Sequence, residues 1–125
     1  MNTTLSPNIK SMSPLLLVAD LDQSIMFYTQ YLGFALDFRF EDFYAGIARD
    51  SFTIHLKLGW PDEKERKKRK KGEDLDLSFS VSDIQQFYDA IKTTPVSIVQ
   101  PLREMPYGRE FYITDPDGYL IGFVE

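Results

Sequence analysis

The chain reads as an α+β fold of two βαβββ modules with pseudo-twofold symmetry, whose curved mixed sheets form a cleft. Three observations carry this reading. Val18-Ala-Asp-Leu21 and Val81-Ser-Asp-Ile84 recur 63 residues apart, about half of the 125-residue chain. A helical pattern follows each of them, and each helix is followed by short β-like stretches bounded by Asp, Gly and Pro. The stretch Met105–Glu125 reads as two strands joined by the tight turn Asp115-Pro116-Asp117-Gly118.

Taken in order, Pro14–Val18 reads as the first strand. Asp20 with Gln23 fits the Asp-x-x-Gln variant of a capping box, which satisfies amides of the first helical turn. Leu21, Ile25, Tyr28 and Leu32 then share one helical face, and Gly33 ends the helix as a C-cap. Three strands follow at Ala35–Glu41, Tyr44–Arg49 and Ser51–Leu58. The second half repeats the order: a strand at Leu75–Val81, a box of Asp83 with Gln86, a helix face of Ile84, Phe87, Tyr88 and Ile91, and strands at Val96–Leu102, Arg109–Thr114 and Tyr119–Val124. Module one covers about residues 12–59 and module two 75–125, within the single domain expected at this length. Trp60–Asp74 lacks apolar periodicity and reads as an exposed, mobile linker.

Hydrophobic residues make up 43% of the chain and aromatics 14%, with ten Phe and seven Tyr, so rings remain to line a groove once a core is built. The absence of cysteine excludes disulfides, thiolate catalysis and Cys-ligated zinc. No leader pattern or apolar run of membrane length is present, so the expectation is a cytoplasmic protein without a membrane partner. Seven of the fourteen basic residues fall between Lys64 and Lys71. Against five acids they leave Asp62–Asp74 at +2 and the rest of the chain at −7, within a net charge of −5. Such an acidic body disfavours nucleic acid and draws cations at long range. The basic run has no interleaved aromatics and reads as a solvated linker rather than a nucleic-acid arm. No recognisable Ser-His-acid motif or glycine-rich phosphate loop supports a hydrolase or a nucleotide-dependent enzyme.

The more specific motifs are Leu32-Gly-Phe-Ala-Leu-Asp-Phe38, Glu41-Asp-Phe43 followed by Ala45-Gly46, Arg49-Asp50, and Pro106-Tyr-Gly-Arg-Glu-Phe111 leading into Asp115-Pro116 and Phe123-Val-Glu125. In these the chain resembles the vicinal oxygen chelate superfamily of glyoxalases, bleomycin resistance proteins and dioxygenases, and within it the bleomycin resistance proteins, over nearly everything but the linker. The resemblance implies a homodimer with two grooves, often with the first strand exchanged between subunits, and Pro14 stands at the usual exchange hinge. Enzymes of the superfamily hold a divalent ion at four pseudo-symmetric strand positions, which fall here on Ser13, His55, Asp76 and Gly122. Only His55 and Asp76 are useful donors, whereas a catalytic centre needs about three protein ligands. The expectation is therefore no metal, no other cofactor and no catalytic residue. The expected function is non-enzymatic sequestration of a cationic aromatic small molecule such as a bleomycin-type antibiotic. The alternative is a metal-dependent glyoxalase-type lyase, dioxygenase or thiol transferase.

By the same resemblance Phe38, Phe43 and Tyr107 match ring-bearing groove positions, with Tyr107 standing where a tryptophan is usual. Stacking and cation attraction there contribute about 0.5 to 2 kcal/mol per contact. Asp37, Glu41 and Asp42 would supply the negative field, and His55 would line the cleft. Duller roles also fit: Phe38 and Phe43 as core residues of curved strands, the three acids as ordinary surface, and Arg109 and Glu110 as a strand anchor or an ion pair. His55, the only histidine, fits either a hydrogen-bonded polar residue or a general base.

Overall fold

A computed structural model describes residues 6–60 and 74–125. The first module consists of β1 (Leu15–Val18), α1 (Leu21–Leu32), β2 (Ala35–Phe40), β3 (Tyr44–Arg49) and β4 (Phe52–Leu58). The second consists of β5 (Leu77–Ser80), α2 (Ile84–Ile91), β6 (Ser97–Met105), β7 (Gly108–Thr114) and β8 (Leu120–Val124). Each module forms a four-stranded mixed sheet, ordered β1-β4-β3-β2 and β5-β8-β7-β6, with the first pair parallel and the others antiparallel. The expected linker lies almost wholly outside the described residues.

The repeat extends to the register. Leu15 pairs with His55, and Ser78, 63 residues after Leu15, pairs with Gly122. One extra residue interrupts β2 between Leu36 and Phe38, and another interrupts β6 between Ile98 and Gln100. β6 runs past the expected end at Leu102 to Met105. Pro101 is tolerated because β6 is an edge strand and Pro101 falls in a second register shift, where no ladder donor is needed.

Helix α1 starts as its sequence indicates: the carboxylate of Asp20 accepts from the Gln23 amide at 3.0 Å. Gly33 closes the helix with φ +75°, and Arg49 donates from Nη1 to the Leu32 carbonyl at 2.7 Å, occupying an end carbonyl that the helix itself leaves unpaired. The second capping box does not form. Asp83 takes a left-handed conformation, φ 53°, and its side chain caps nothing. Glu125 caps instead, its two oxygens accepting from the amides of Asp83 at 2.9 Å and Ile84 at 3.0 Å. Those backbone hydrogen bonds, from Ile84 first, hold the Glu125 carboxyl below its usual range. Strand β8 pairs with β5 and ends beside the start of α2, so an acid 42 residues away outcompetes the local one.

The core is shared between the modules. Leu16, Val18, Phe27, Tyr28, Ile47 and Leu56 pack in one cluster with Ile84, Phe111, Ile113, Ile121 and Phe123. Polar contacts clasp the same seam. The Tyr28 hydroxyl donates to Asp115 at 2.7 Å, the Ala19 amide donates to Asp117 at 2.9 Å, and the Tyr119 hydroxyl both accepts from the Leu17 amide and donates to the Leu17 carbonyl. Asp115 and Asp117 thus form the expected turn and also tie it to the first module. Burial pushes the Asp115 carboxyl up to about 6, against the opposing hydrogen bonds from Tyr28 and from the amides of Tyr119 and Asp117.

Candidate functional site

Alternation along the first sheet separates two faces. Leu16, Val18, Ala45, Ile47, Ile54 and Leu56 are buried toward the core, so Leu15, Leu17, Tyr44, Gly46, Thr53, His55 and Lys57 stand on the other, open face. The extra residue at Asp37 decides where Phe38 goes. Leu36 pairs with core-facing Ile47, and without the bulge Phe38 would oppose Ala45 on the core side; with it, Phe38 opposes Gly46 on the open face. Phe38, Gly46, His55 and Leu15 therefore form one row across four strands, and Phe40, Tyr44, Lys57 and Leu17 form the next.

The rings in these rows touch. Phe38 stacks with Tyr44 at 6.1 Å between centroids and meets His55 edge-on at 5.3 Å. Its ring lies over Gly46, where any side chain would collide with it. The Tyr44 hydroxyl and His55 Nδ1 are 2.8 Å apart, which fixes the imidazole among the rings. Phe40 continues the apolar surface at 57% exposure.

The other expected residues are distributed differently. Phe43 is half exposed in the turn between β2 and β3. Asp42 is already partnered: Arg39 donates to it at 2.9 Å, to Asp22 at 2.6 Å and to the Glu41 carbonyl at 2.6 Å. Asp37 and Glu41 are exposed at the β2 edge of the sheet. Tyr107 belongs to the second sheet, in the turn between β6 and β7, and is 62% exposed.

A buried carboxylate anchors Tyr107. Glu110, 4% exposed, accepts from the Tyr107 hydroxyl at 2.5 Å, from the Tyr112 hydroxyl at 2.9 Å, and from Arg103 Nε and Nη2 at 2.9 and 2.6 Å. Burial opposes its charge, but the hydrogen bonds from Tyr107, Arg103 and Tyr112 outweigh burial and keep the carboxyl below its usual range. The same bond to Glu110, with some desolvation, pushes the Tyr107 phenol up to about 12. Of the paired and strand-anchoring roles open to Arg109 and Glu110, both residues take pairs, Glu110 with Arg103 and Arg109 with Glu125 at 3.9 Å.

Sequence reasoning missed Tyr44, Gly46, Lys57, Arg103 and Tyr112. Lys57 was detectable, since strand alternation puts it on the face of His55. Gly46 was not, because its role depends on the bulge in the neighbouring strand.

The four positions at which superfamily enzymes bind a divalent ion do not fit one here. Ser13 Oγ is a hydroxyl hydrogen-bonded to Thr53 Oγ1, while His55, with Nδ1 bonded to Tyr44, and Asp76, with one oxygen on the Leu120 amide at 2.9 Å, make two good ligands where about three are needed. Gly122 has no donor, and a Cβ there would stand 2.6 Å from Leu75 Cδ1. Among the described residues no three His, Asp or Glu side chains come together as a ligand set.

No helix among the described residues is long and apolar enough to cross a membrane. Comparison with curated proteins gives no match. Solved structures give many matches. A bleomycin-binding protein from bleomycin-producing Streptomyces verticillus, complexed with copper(II)-bleomycin, is 21% identical with a TM-score of 0.68, over 93% of this chain and 97% of that one. TnmS3, an antibiotic binding protein from Streptomyces sp. CB03234, is 20% identical with a TM-score of 0.69, over 95% and 98%. The fosfomycin resistance protein FosX from Listeria monocytogenes is 17% identical with a TM-score of 0.68, over 99% and 93%. At such identities the likeness is one of fold. The family model for the Glyoxalase/Bleomycin resistance protein/Dioxygenase superfamily matches residues 10–123, and the chain belongs to that superfamily.

Proposed function

We propose that the protein is a non-enzymatic binder that sequesters a flat aromatic small molecule against the open face of the first sheet. The observation that carries this is the ring cluster of Phe38, Tyr44 and His55 beside exposed Phe40, on a face that also leaves Leu15 and Leu17 in solvent. An apolar sheet face of this kind, with rings held in place by one another, is a ready stacking surface. Two of the three expected acids, Asp37 and Glu41, are exposed at its edge, and with the net charge of −5 they favour a cationic tail on the guest, as in bleomycin-type antibiotics. The similarity in fold to a bleomycin-binding protein and to an antibiotic binding protein supports the same reading.

The working unit proposed is a homodimer in which a second copy helps to cover this face and brings the anchored ring of Tyr107 toward it. Enzymatic chemistry through a divalent ion is the weaker reading, because of the four superfamily positions only His55 and Asp76 carry good ligands and a catalytic centre needs about three. Calorimetric titration with copper-free bleomycin and with copper(II)-bleomycin tests the proposal. Micromolar binding that Phe38→Ala weakens at least tenfold is the expected result. No heat from either ligand at high micromolar concentration overturns the bleomycin assignment, and one tightly held transition ion per chain touching His55 overturns the non-enzymatic one.

A further inference from the structure

Among the described strand residues on the open face of the first sheet, Lys57 carries the one positive charge. The paired strand residues that share the face are Leu15, Leu17, Ala35, Phe38, Phe40, Tyr44, Gly46, Ala48, Thr53 and His55, none of them acidic, and the exposed carboxylate of Asp37, the extra residue of β2, is the acid nearest to them in the strands. Lys57 is exposed, and no ion pair joins it to another described residue. Strand β4 lies between β1 and β3, so Lys57 is flanked by Leu17 on one side and Tyr44 on the other. An ammonium at the margin of an apolar, ring-lined surface, here the end of the sheet beside the β2–β3 turn, is well solvated only while the surface is open. A guest lying flat on the rings strips water from it, and the charge then requires a partner that the guest supplies.

From this we infer that the ligand presents an anionic group, such as a carboxylate, phosphate, sulfonate or phenolate, to Lys57 while its ring system stacks on the Phe38 cluster. The inference rests on the proposed use of this face for stacking. Tyr44 adds a second recognition element, since its hydroxyl meets His55 Nδ1 and its backbone pairs with Lys57 in the neighbouring strand. The exposed acids do not compete for the role. Asp37 belongs to β2, two strands from β4 and about 10 Å away at ordinary strand spacing, and in the β2–β3 turn Arg39 already holds the Asp42 carboxylate and the Glu41 carbonyl. The face therefore reads as a cation at its turn end with carboxylates along the β2 rim. It suits an amphoteric guest whose acidic group belongs to the ring system and whose positive charge belongs to a tail.

Two flat dyes of opposite charge test this on the whole protein: anionic 8-anilinonaphthalene-1-sulfonate and cationic thioflavin T, followed by fluorescence titration. The expected result is that the sulfonate binds, that Lys57→Met weakens it about tenfold and Lys57→Arg by no more than about threefold, and that Phe38→Ala also weakens it. Thioflavin T should be indifferent to Lys57→Met or gain slightly. Sulfonate binding that Lys57→Met leaves unchanged overturns the anion assignment, as does sulfonate binding indifferent to Phe38→Ala. Phe38-dependent binding of thioflavin T with none of the sulfonate overturns that assignment alone and leaves the stacking reading standing. Binding of neither dye overturns both.

Discussion

Gly46→Ala probes the step on which the binding face depends, the placement of Phe38. A Cβ at position 46 would stand 2.7 Å from Phe38 Cζ and 2.8 Å from Cδ1, and closer still to Cε1. Aromatic carbons need about 3.5 Å or more, so the methyl and the ring cannot share the space. Gly46 has no left-handed backbone angle, and alanine alone should gain up to about 0.5–1 kcal/mol over glycine within a strand. The collision opposes that gain. Displacing the ring disrupts its contacts with Phe40, Tyr44 and His55, each worth about 0.5–1.5 kcal/mol. The net expectation is a loss of about 1–2 kcal/mol in urea unfolding. Because the opposing atoms belong to one side chain, Phe38→Ala should cancel the penalty, and in that background Gly46→Ala should be neutral or stabilising. The double-mutant cycle at constant m-value measures this coupling. If Gly46→Ala is as stable as the parent, or costs as much in the Phe38→Ala background as in the parent, then Phe38 does not lie over Gly46 and the proposed face loses its central ring.

Three further expectations follow from polar contacts elsewhere in the fold. Asp115, with a folded pKa of about 6 against 3.8 when unfolded, binds its proton more tightly in the folded protein. Its stabilising protonation is complete below about pH 4 and lost as pH rises through 6, by up to about 3 kcal/mol. Asp115→Asn should flatten this component, so stability curves of parent and variant measured between pH 4 and 7 should differ in slope; parallel curves refute the raised value. Arg103→Met leaves the Glu110 carboxylate buried with only its two tyrosine donors, and should cost about 3 kcal/mol in chemical denaturation. A loss below about 0.5 kcal/mol would show that Arg103 is dispensable to the pair. Glu125→Gln removes the charge that caps α2 while keeping one acceptor, and should speed hydrogen exchange at the amides of Asp83 and Ile84 but not at Gln23, which Asp20 caps. Equal protection in both proteins would mean the cap does not depend on the carboxylate.

The local signals of the fold were legible because they depend on neighbours in sequence. Asp20 and Gly33 bracket α1 by cap chemistry, apolar spacing buries Leu21, Tyr28 and Leu32, and the 63-residue echo gives two modules whose strand registers correspond. The second capping box shows the limit of such reading. The same Asp-x-x-Gln pattern is present, yet Glu125 reaches the helix from a paired strand and releases Asp83 into a left-handed turn.

The candidate site divides along the same line. Residue types fixed in advance which side chains could stack, attract charge or ligate an ion, and the set of Ser13, His55, Asp76 and Gly122 was already poor in donors on chemical grounds. Assembly was another matter. A single extra residue at Asp37 reverses the face of everything after it in β2, which moves Phe38 from the core onto Gly46, and strand pairing then brings Tyr44, His55 and Lys57 beside it. The same pairing engages Asp42 with Arg39 and sinks Glu110 beneath Tyr107. Sequence alone determined the modules and the chemistry available to them, since both arise from local spacing and side-chain type. Only the tertiary structure decided which side chains share a surface, since one residue of register turns a strand over and nothing local records it.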